Sequence, residues 1–206
     1  LDKVKSVGIG WGQAVSCFVA ETNYLRANNL TIVPLVGGMG ALSLDVHANH
    51  LVSDLAVKLN SQYSTFSAPV IAESAEVANE LKKSKLVDSA LSAAKAVDVA
   101  FIGVGNDVRT STWRKLDYIS ETETQELEAA GALGDVVSDF FDENCQTVKT
   151  DFSNRLIGIT IDDLIKIPDV VAMATGIKKA ANIKILLEHG VVNTLFIDQE
   201  IAEAII

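Results

Sequence analysis

The chain has 206 residues, 49% of them hydrophobic, and a formal net charge of −10. That length suits one domain with a sizeable core, or at most two small ones, and the acidic balance argues against these residues gripping nucleic acid, whose phosphates are held by lysine and arginine. No run reaches the ~18 apolar residues of a membrane span, and the two cysteines, Cys17 and Cys145, lie far apart with no CxxC pair, the pattern of a reduced cytoplasmic protein.

The opening LDKVKSVGIGWG carries no Met, is too short and charged for a secretory signal, and enters a strand pattern at once. The expectation is a fragment whose natural N-terminal part is missing. A first apolar strand, Val4–Ile9, runs into the glycines of Gly8-Ile9-Gly10-Trp11-Gly12. A helical pattern follows over Gln13–Ala27, with Cys17 expected as a packed core thiol. The next strand, Leu30–Val36, ends at Gly37-Gly38-Met39-Gly40, and a second helix is predicted over Asp45–Leu59. On it His47 and His50 stand three apart, with Asp54 one turn on. An H-x-x-H pair with no fixed third ligand reads as a solvated face rather than a metal site.

A third strand, Val97–Val104, ends in Gly103-Val104-Gly105. Ser120 and Glu123 have the spacing of a capping box and open a helix that runs to Ala130, before Gly131. Two strands, Val136–Phe141 and Gln146–Val148, are predicted around a turn at Asp142-Glu143-Asn144, and Thr160 with Asp163 opens a short helix before Pro168. The apolar run Asp169–Ala174 is a further strand, and helical spacing covers Gly176–Glu188, with Ala180, Ile183, Leu186 and Leu187 as its buried stripe and Gly190 as its stop. Strand Asn193–Ile197 and helix Gln199–Ile206 complete the chain. Strands alternating with helices of this length make an α/β domain, a mostly parallel sheet covered by helices on both faces.

The C-terminal helix pattern opens with Lys178 and Lys179, two cations where the helix dipole favours anions. Glycine-rich strand ends are where open parallel sheets line their ligand crevice, and helix starts there offer unpaired N–H groups. A phosphate beside Gly176 and Lys179 compensates the misplaced charge; lysines turned into solvent are the alternative. Nucleotide signatures fail. Gly8, Gly10 and Gly12 have the wrong spacing for GxGxxG, and there is no GxxxxGK[ST], so neither NAD nor ATP fits as a cofactor. No GxSxG occurs, and three scattered histidines define no triad. Asp135, after Gly134, is either a turn carboxylate or an acceptor for sugar hydroxyls. Trp11 either packs on a ligand or is a buried indole.

As an ordered set, VGIGWGQAVS (7–16), TIVPLVGGMG (31–40), HANHLVSDLA (47–56), DVAFIGVGN (98–106), YISETETQELEAAGALGDVVSDFFD (118–142) and the stretch 155–206 resemble the effector-binding domain of the SorC family of bacterial transcriptional regulators. The resemblance covers nearly the whole chain. It implies a fold similar to the glucosamine-6-phosphate deaminase and ribose-5-phosphate isomerase group, no catalysis, and a phosphorylated sugar at the strand ends. It also implies a preceding helix-turn-helix domain that reaches operator DNA, a homodimer or homotetramer, and the cytoplasm as location. A sugar-phosphate isomerase or deaminase on the same fold is the rival reading. Carried over by position, Gly10, Trp11, Gly12, Gln13 and Ala14 hold the phosphate, and Gly37 and Gly38 close on it. Asn49, Gly105, Asp135, Gly176 and Lys179 complete the implied ligand set. The family's first loop commonly has Arg or Ser and then Thr where Gln13 and Ala14 stand, and Thr175 replaces a glycine; both departures bear on which sugar phosphate is bound.

Overall fold

The computed structural model describes residues 4–27, 29–40 and 44–206; the first three residues of the predicted fragment start lie outside it. Strand β1 (Ser6–Ile9) leads through helix α1 (Gln13–Glu21) to β2 (Thr31–Pro34), and helix α2 (Ala48–Leu59) leads to the two-residue β3 (Gln62–Tyr63). Two helices, α3 (Ala75–Lys83) and α4 (Lys85–Lys95), precede β4 (Val99–Gly103). After α5 (Thr112–Lys115) and α6 (Glu121–Ala129), strands β5 (Gly134–Val136) and β6 (Asp139–Phe141) form a separate antiparallel hairpin. Single turns α7 (Asp151–Asn154) and α8 (Ile161–Leu164) come before β7 (Asp169–Ala174), α9 (Ala180–Glu188), β8 (Thr194–Ile197) and α10 (Gln199–Ile205).

Six strands pair in parallel in the order β3-β2-β1-β4-β7-β8. Successive strand residues point to opposite faces, and here both faces are apolar. Val7, Ile9, Ile32 and Met173 pack on one side with Val15 and Val19 of α1 and with Leu51, Val52 and Leu55 of α2. Val33, Ala100, Ile102, Val170 and Ala172 face the other side, where Ile183 and Leu186 of α9, Ile201 of α10 and Phe140 of β6 cover them. This is the expected sheet covered on both faces. The two helices α3 and α4 have no counterpart among the predicted elements. Ala78, Val87 and Leu91 anchor them against Phe66 and Ile157 in a cluster of their own.

Three local expectations are corrected. Helix α1 stops at Glu21, not Ala27: Thr22 turns extended, and Leu25 and Ala27 then donate backbone N–H groups to Lys58 and Leu59 at the end of α2. Cys17 is exposed rather than core, because the stripe α1 buries is Val15 and Val19, and a residue two on from Val15 points roughly the opposite way. The predicted strand Val136–Phe141 is broken by a turn at Val137-Ser138, both left-handed at φ 45° and 71°; the turn after Asp142 is present too, and it brings Thr147 into a bridge with Phe141. Consecutive left-handed residues are what a two-residue hairpin turn requires, and Val137 is an unusual residue to accept it.

Topology places the site. From β1 the chain adds strands outward through β2 to β3, and from β4 outward through β7 to β8. The loops leaving β1 and β4 therefore diverge, and a crevice opens between them at the carboxyl edge of the sheet.

Candidate functional site

At that edge Gly10 donates its N–H to the carbonyl of Phe101 (2.9 Å), and Gly12 donates to that of Val46 (2.9 Å). Gly12, at φ 111°, turns the chain sharply into α1. A side chain at that angle would be strained. The helix it opens has no side-chain cap and no acid in its first turn, so its leading N–H groups keep their partial positive charge.

A cleft of ≈ 80 Å³ lies in front of them, several times the ~10–15 Å³ that one water needs. Eight of the twelve sequence-derived ligand positions line it: Gly10, Trp11, Gly12, Gln13, Ala14, Gly105, Asp135 and Lys179. Asn106, Thr112 and Val137 also line it, and sequence reasoning missed all three. Asn106 carries the nearest thing to a signal, since it follows directly on the strand-end Gly103-Val104-Gly105. Among the described residues that line it, only Asp135 and Lys179 have ionisable side chains.

Asp135 sits on β5, 6% exposed, and accepts a hydrogen bond at Oδ2 from Trp113 Nε1 (3.2 Å). Gly105 donates its N–H to the Asp135 carbonyl (2.8 Å), and a Cβ on Gly105 would lie 2.1 Å from Asp135 Oδ1. Only glycine lets the β4 loop pass the carboxylate this closely. Asn182 of α9, buried, donates from Nδ2 to the carbonyls of Gly105 (3.1 Å) and Leu133 (3.2 Å), fixing that loop to the hairpin. Burial pushes the Asp135 carboxyl up to about 6; the Trp113 donor and the Lys179 ammonium oppose the rise, and the Asp139 charge adds to it. Lys179 moves the other way: burial lowers it, the Asp135 carboxylate raises it, and Lys115 lowers it again. Desolvation disfavours the charged form of each group, and a polar ligand bridging them would relieve that cost.

The raised Asp135 fixes a sign. The folded chain holds a proton that the unfolded chain releases near pH 4, so the contribution of Asp135 to stability is lost as pH rises from about 4 to about 6. Asp139 is raised as well, chiefly by burial, and contributes in the same direction. Glu76, Asp98, Glu121, Glu123 and Asp198 are shifted down and contribute the opposite sign, so the test is a difference: in denaturant unfolding across pH 4–7, Asp135→Asn should change the parent's slope by at most one proton's share, about 1.4 kcal/mol per pH unit. An unchanged slope in that variant means Asp135 titrates normally.

The other four predicted residues are not brought to this cleft. Gly37 gives its N–H to Ile157, and a Cβ there would lie 2.5 Å from the Pro69 carbonyl oxygen; Gly38 donates to Ala68 (2.7 Å). Asn49 exchanges two hydrogen bonds with the Phe66 backbone (2.8 and 3.1 Å). Gly38 ties the β2 loop, and Asn49 ties α2, to the segment before α3, while Gly37 ties the β2 loop to the segment after α7. Gly176 donates its N–H to Asp198 Oδ2 (2.6 Å), so a protein carboxylate already sits where the sequence suggested a phosphate. Lys178 and Lys179 lie in a 3₁₀ turn (Ile177–Lys179) ahead of α9 rather than in its first turn. Lys178 is exposed; only Lys179 reaches the cleft. Trp11 lines the cleft but is buried, edge-on to Trp113 at 5.2 Å. His47 is buried at the start of α2 while His50 pairs with Asp54 (3.3 Å) on a half-exposed face, and no group of three potential metal ligands occurs among the described residues. Asp107 caps Thr110 and does not line the cleft. Among the described residues no helix is long and apolar enough to cross a membrane.

Residues 1–206 match the family model described as "Putative sugar-binding domain". A transcriptional regulator LsrR from Escherichia coli is 32% identical over 213 residues, covering all of this chain and 64% of the relative, and one from Enterobacter is 29% identical over 210 residues, covering 62% of that relative. The chain thus spans about three fifths of the length of these relatives. Among solved structures, a DeoR family transcriptional regulator from Listeria monocytogenes superposes with a TM-score of 0.93 at 32% identity, over 99% of this chain and 80% of that one. The full-length sorbitol operon regulator SorC from Klebsiella pneumoniae gives 0.88 at 27% identity, over 97% of this chain and 66% of that one.

Proposed function

The chain belongs to the sugar-binding domain family of SorC-type regulators, and from that premise we propose that it senses a phosphorylated sugar in the cleft between β1 and β4. The observation that carries the reading is the set of groups gathered in one cleft. The bare N-terminus of α1 and the Lys179 ammonium are its electropositive groups, and the buried Asp135 carboxylate is a hydroxyl acceptor. A polyhydroxylated phosphate ester has both complements. Its phosphate accepts from Gln13 and Ala14 N–H groups and from Lys179, and its hydroxyls donate to Asp135. Gln13 and Ala14 supply only backbone N–H groups and an amide to that cradle, which leaves more of the phosphate charge to Lys179.

The domain acts as a sensor, not a catalyst. Isomerisation or deamination of a sugar phosphate needs an acid and a base at one carbonyl carbon, and Asp135 with Lys179 exhausts the ionisable lining. Ligand binding biases two quaternary arrangements of a cytoplasmic homo-oligomer, and a DNA-binding segment elsewhere in a longer protein carries the change to operator DNA. A hundredfold preference for one arrangement supplies about 2.7 kcal/mol of bias.

A thermal-shift panel of sugar phosphates against their unphosphorylated forms tests the reading. At 100 times Kd the true effector stabilises by about 2.7 kcal/mol, a rise of roughly 5–10 °C for a domain of this size. The unphosphorylated sugar is expected to shift the midpoint far less. Equal shifts from both forms, or conversion of the sugar phosphate followed by NMR over a long incubation, overturn the reading.

A further inference from the structure

A second cleft, ≈ 130 Å³, opens on the other side of the β5–β6 hairpin. Val137 lines both clefts, so the hairpin turn is the wall between them. This one is closed by Lys82 of α3, Lys149, and Asn154 of α7. Ser138, 2% exposed, lines it with a buried Oγ that has no hydrogen-bond partner. A buried hydroxyl left unsatisfied is costly, and native structures seldom keep one without a water or ligand in reach.

The neighbouring polar groups are already committed. Asp139 Oδ2 accepts from the Ile161 N–H at the start of α8 (2.8 Å) and from Thr147 Oγ1 (2.8 Å). Thr160 bonds Asp163, Ser153 bonds Thr150, and Lys95 pairs with Asp163 at 3.2 Å. Neither Lys82 nor Lys149 forms an ion pair or hydrogen bond among the described residues. Lys82 is only half-exposed, and burial lowers its affinity for a proton.

We propose that this cleft is a second ligand site, taking a small oxyanion such as a phosphate group between Lys82, Lys149 and the Ser138 hydroxyl. The anion supplies the acceptor that Ser138 Oγ–H lacks and a direct ionic partner for both lysines; Lys82 feels the Asp139 carboxylate but forms no ion pair with it. Asp139 opposes it less than a free carboxylate would, since its Oδ2 is held by the Ile161 N–H and the Thr147 hydroxyl and burial raises its pKa. The site is separate from the sugar cleft and stands whether or not that cleft binds a sugar phosphate.

The test is an amide NMR titration with inorganic phosphate in the full chain carrying Lys179→Gln, which removes the one lysine of the sugar cleft. Saturable shifts are expected at Ser138, Asp139 and Asn154. Lys82→Gln with Lys149→Gln should weaken that binding at least tenfold. Ser138→Gly, which accepts the turn's φ of 71° without strain, should weaken it severalfold while the protein stays folded. Shifts confined to residues 12–15 and 105–106 overturn the proposal. So do hairpin shifts indifferent to both lysine substitutions, or a phosphate-soaked crystal with only water on Ser138 Oγ.

Discussion

Trp113→Ala is expected to destabilise the chain by about 3–5 kcal/mol, the range for removing a fully buried aromatic side chain. Trp113 is 0% exposed and meets four rings: Trp11 at 5.2 Å, Tyr118 at 5.9 Å, Phe152 at 5.7 Å and Phe140 at 6.1 Å. Three of these contacts are edge-on, the arrangement in which ring quadrupoles attract. Alanine leaves a cavity among them and also deletes the Nε1–H donor to Asp135. A buried carboxylate stripped of a donor holds its proton more tightly, so Asp135 should titrate higher still. Trp113→Phe separates the two effects: it keeps most of the packing and loses only the donor. Urea unfolding at pH 7 and pH 5 reads both. Alanine should be worse than phenylalanine at either pH, and the loss with phenylalanine should shrink at pH 5, where Asp135 is largely protonated. A Trp113→Ala loss below 1 kcal/mol would mean the aromatic cluster is not what secures the hairpin.

The order of strands and helices was readable because period-2 and period-3.6 patterns are local, and each of the five predicted sheet strands has an observed counterpart. What failed had non-local causes. Helix α1 ends early because Leu25 and Ala27 find acceptors at the end of α2, more than thirty residues on. Val137-Ser138 carries no Gly or Asn to announce a turn, so an apolar run read as one strand was two. Helices α3 and α4 are the exception: Val87, Leu91 and Ala94 recur at helical spacing and Ser74 caps α3, so their signal was local and sequence reasoning missed it. The same division holds at the site. Glycine loops and Lys179 were legible from position and charge. Trp113, Asn182 and Asp198 were not, since each acts through a partner 22 or more residues away in sequence. Asp198 shows how such a partner changes a conclusion. Its carboxyl, lowered by the Gly176 and Ile201 N–H groups, occupies the corner that Gly176 was expected to offer to a phosphate.

That occupied corner sharpens what remains for Lys179. With the Gly176 amide taken, the cations on the cleft reduce, among the described residues, to the Lys179 ammonium, which shares the cleft with the N-terminus of α1. On the proposed reading, Lys179→Gln should therefore weaken binding of a sugar phosphate by about 10- to 150-fold, the equivalent of the 1.5–3 kcal/mol carried by a hydrogen bond to a charged group. The unphosphorylated sugar should bind the variant within about threefold of the parent, because its hydroxyls address Asp135. Lys178→Gln is the matched control: the same charge is removed one residue away, from an exposed side chain outside the cleft, and salt-screened charge at that distance is worth little. Calorimetric titration of both variants with both ligands gives four numbers, and only one of them should move strongly. If Lys178→Gln and Lys179→Gln lose affinity equally, the phosphate responds to the general field of the 3₁₀ turn, and the cleft between β1 and β4 is not where it sits.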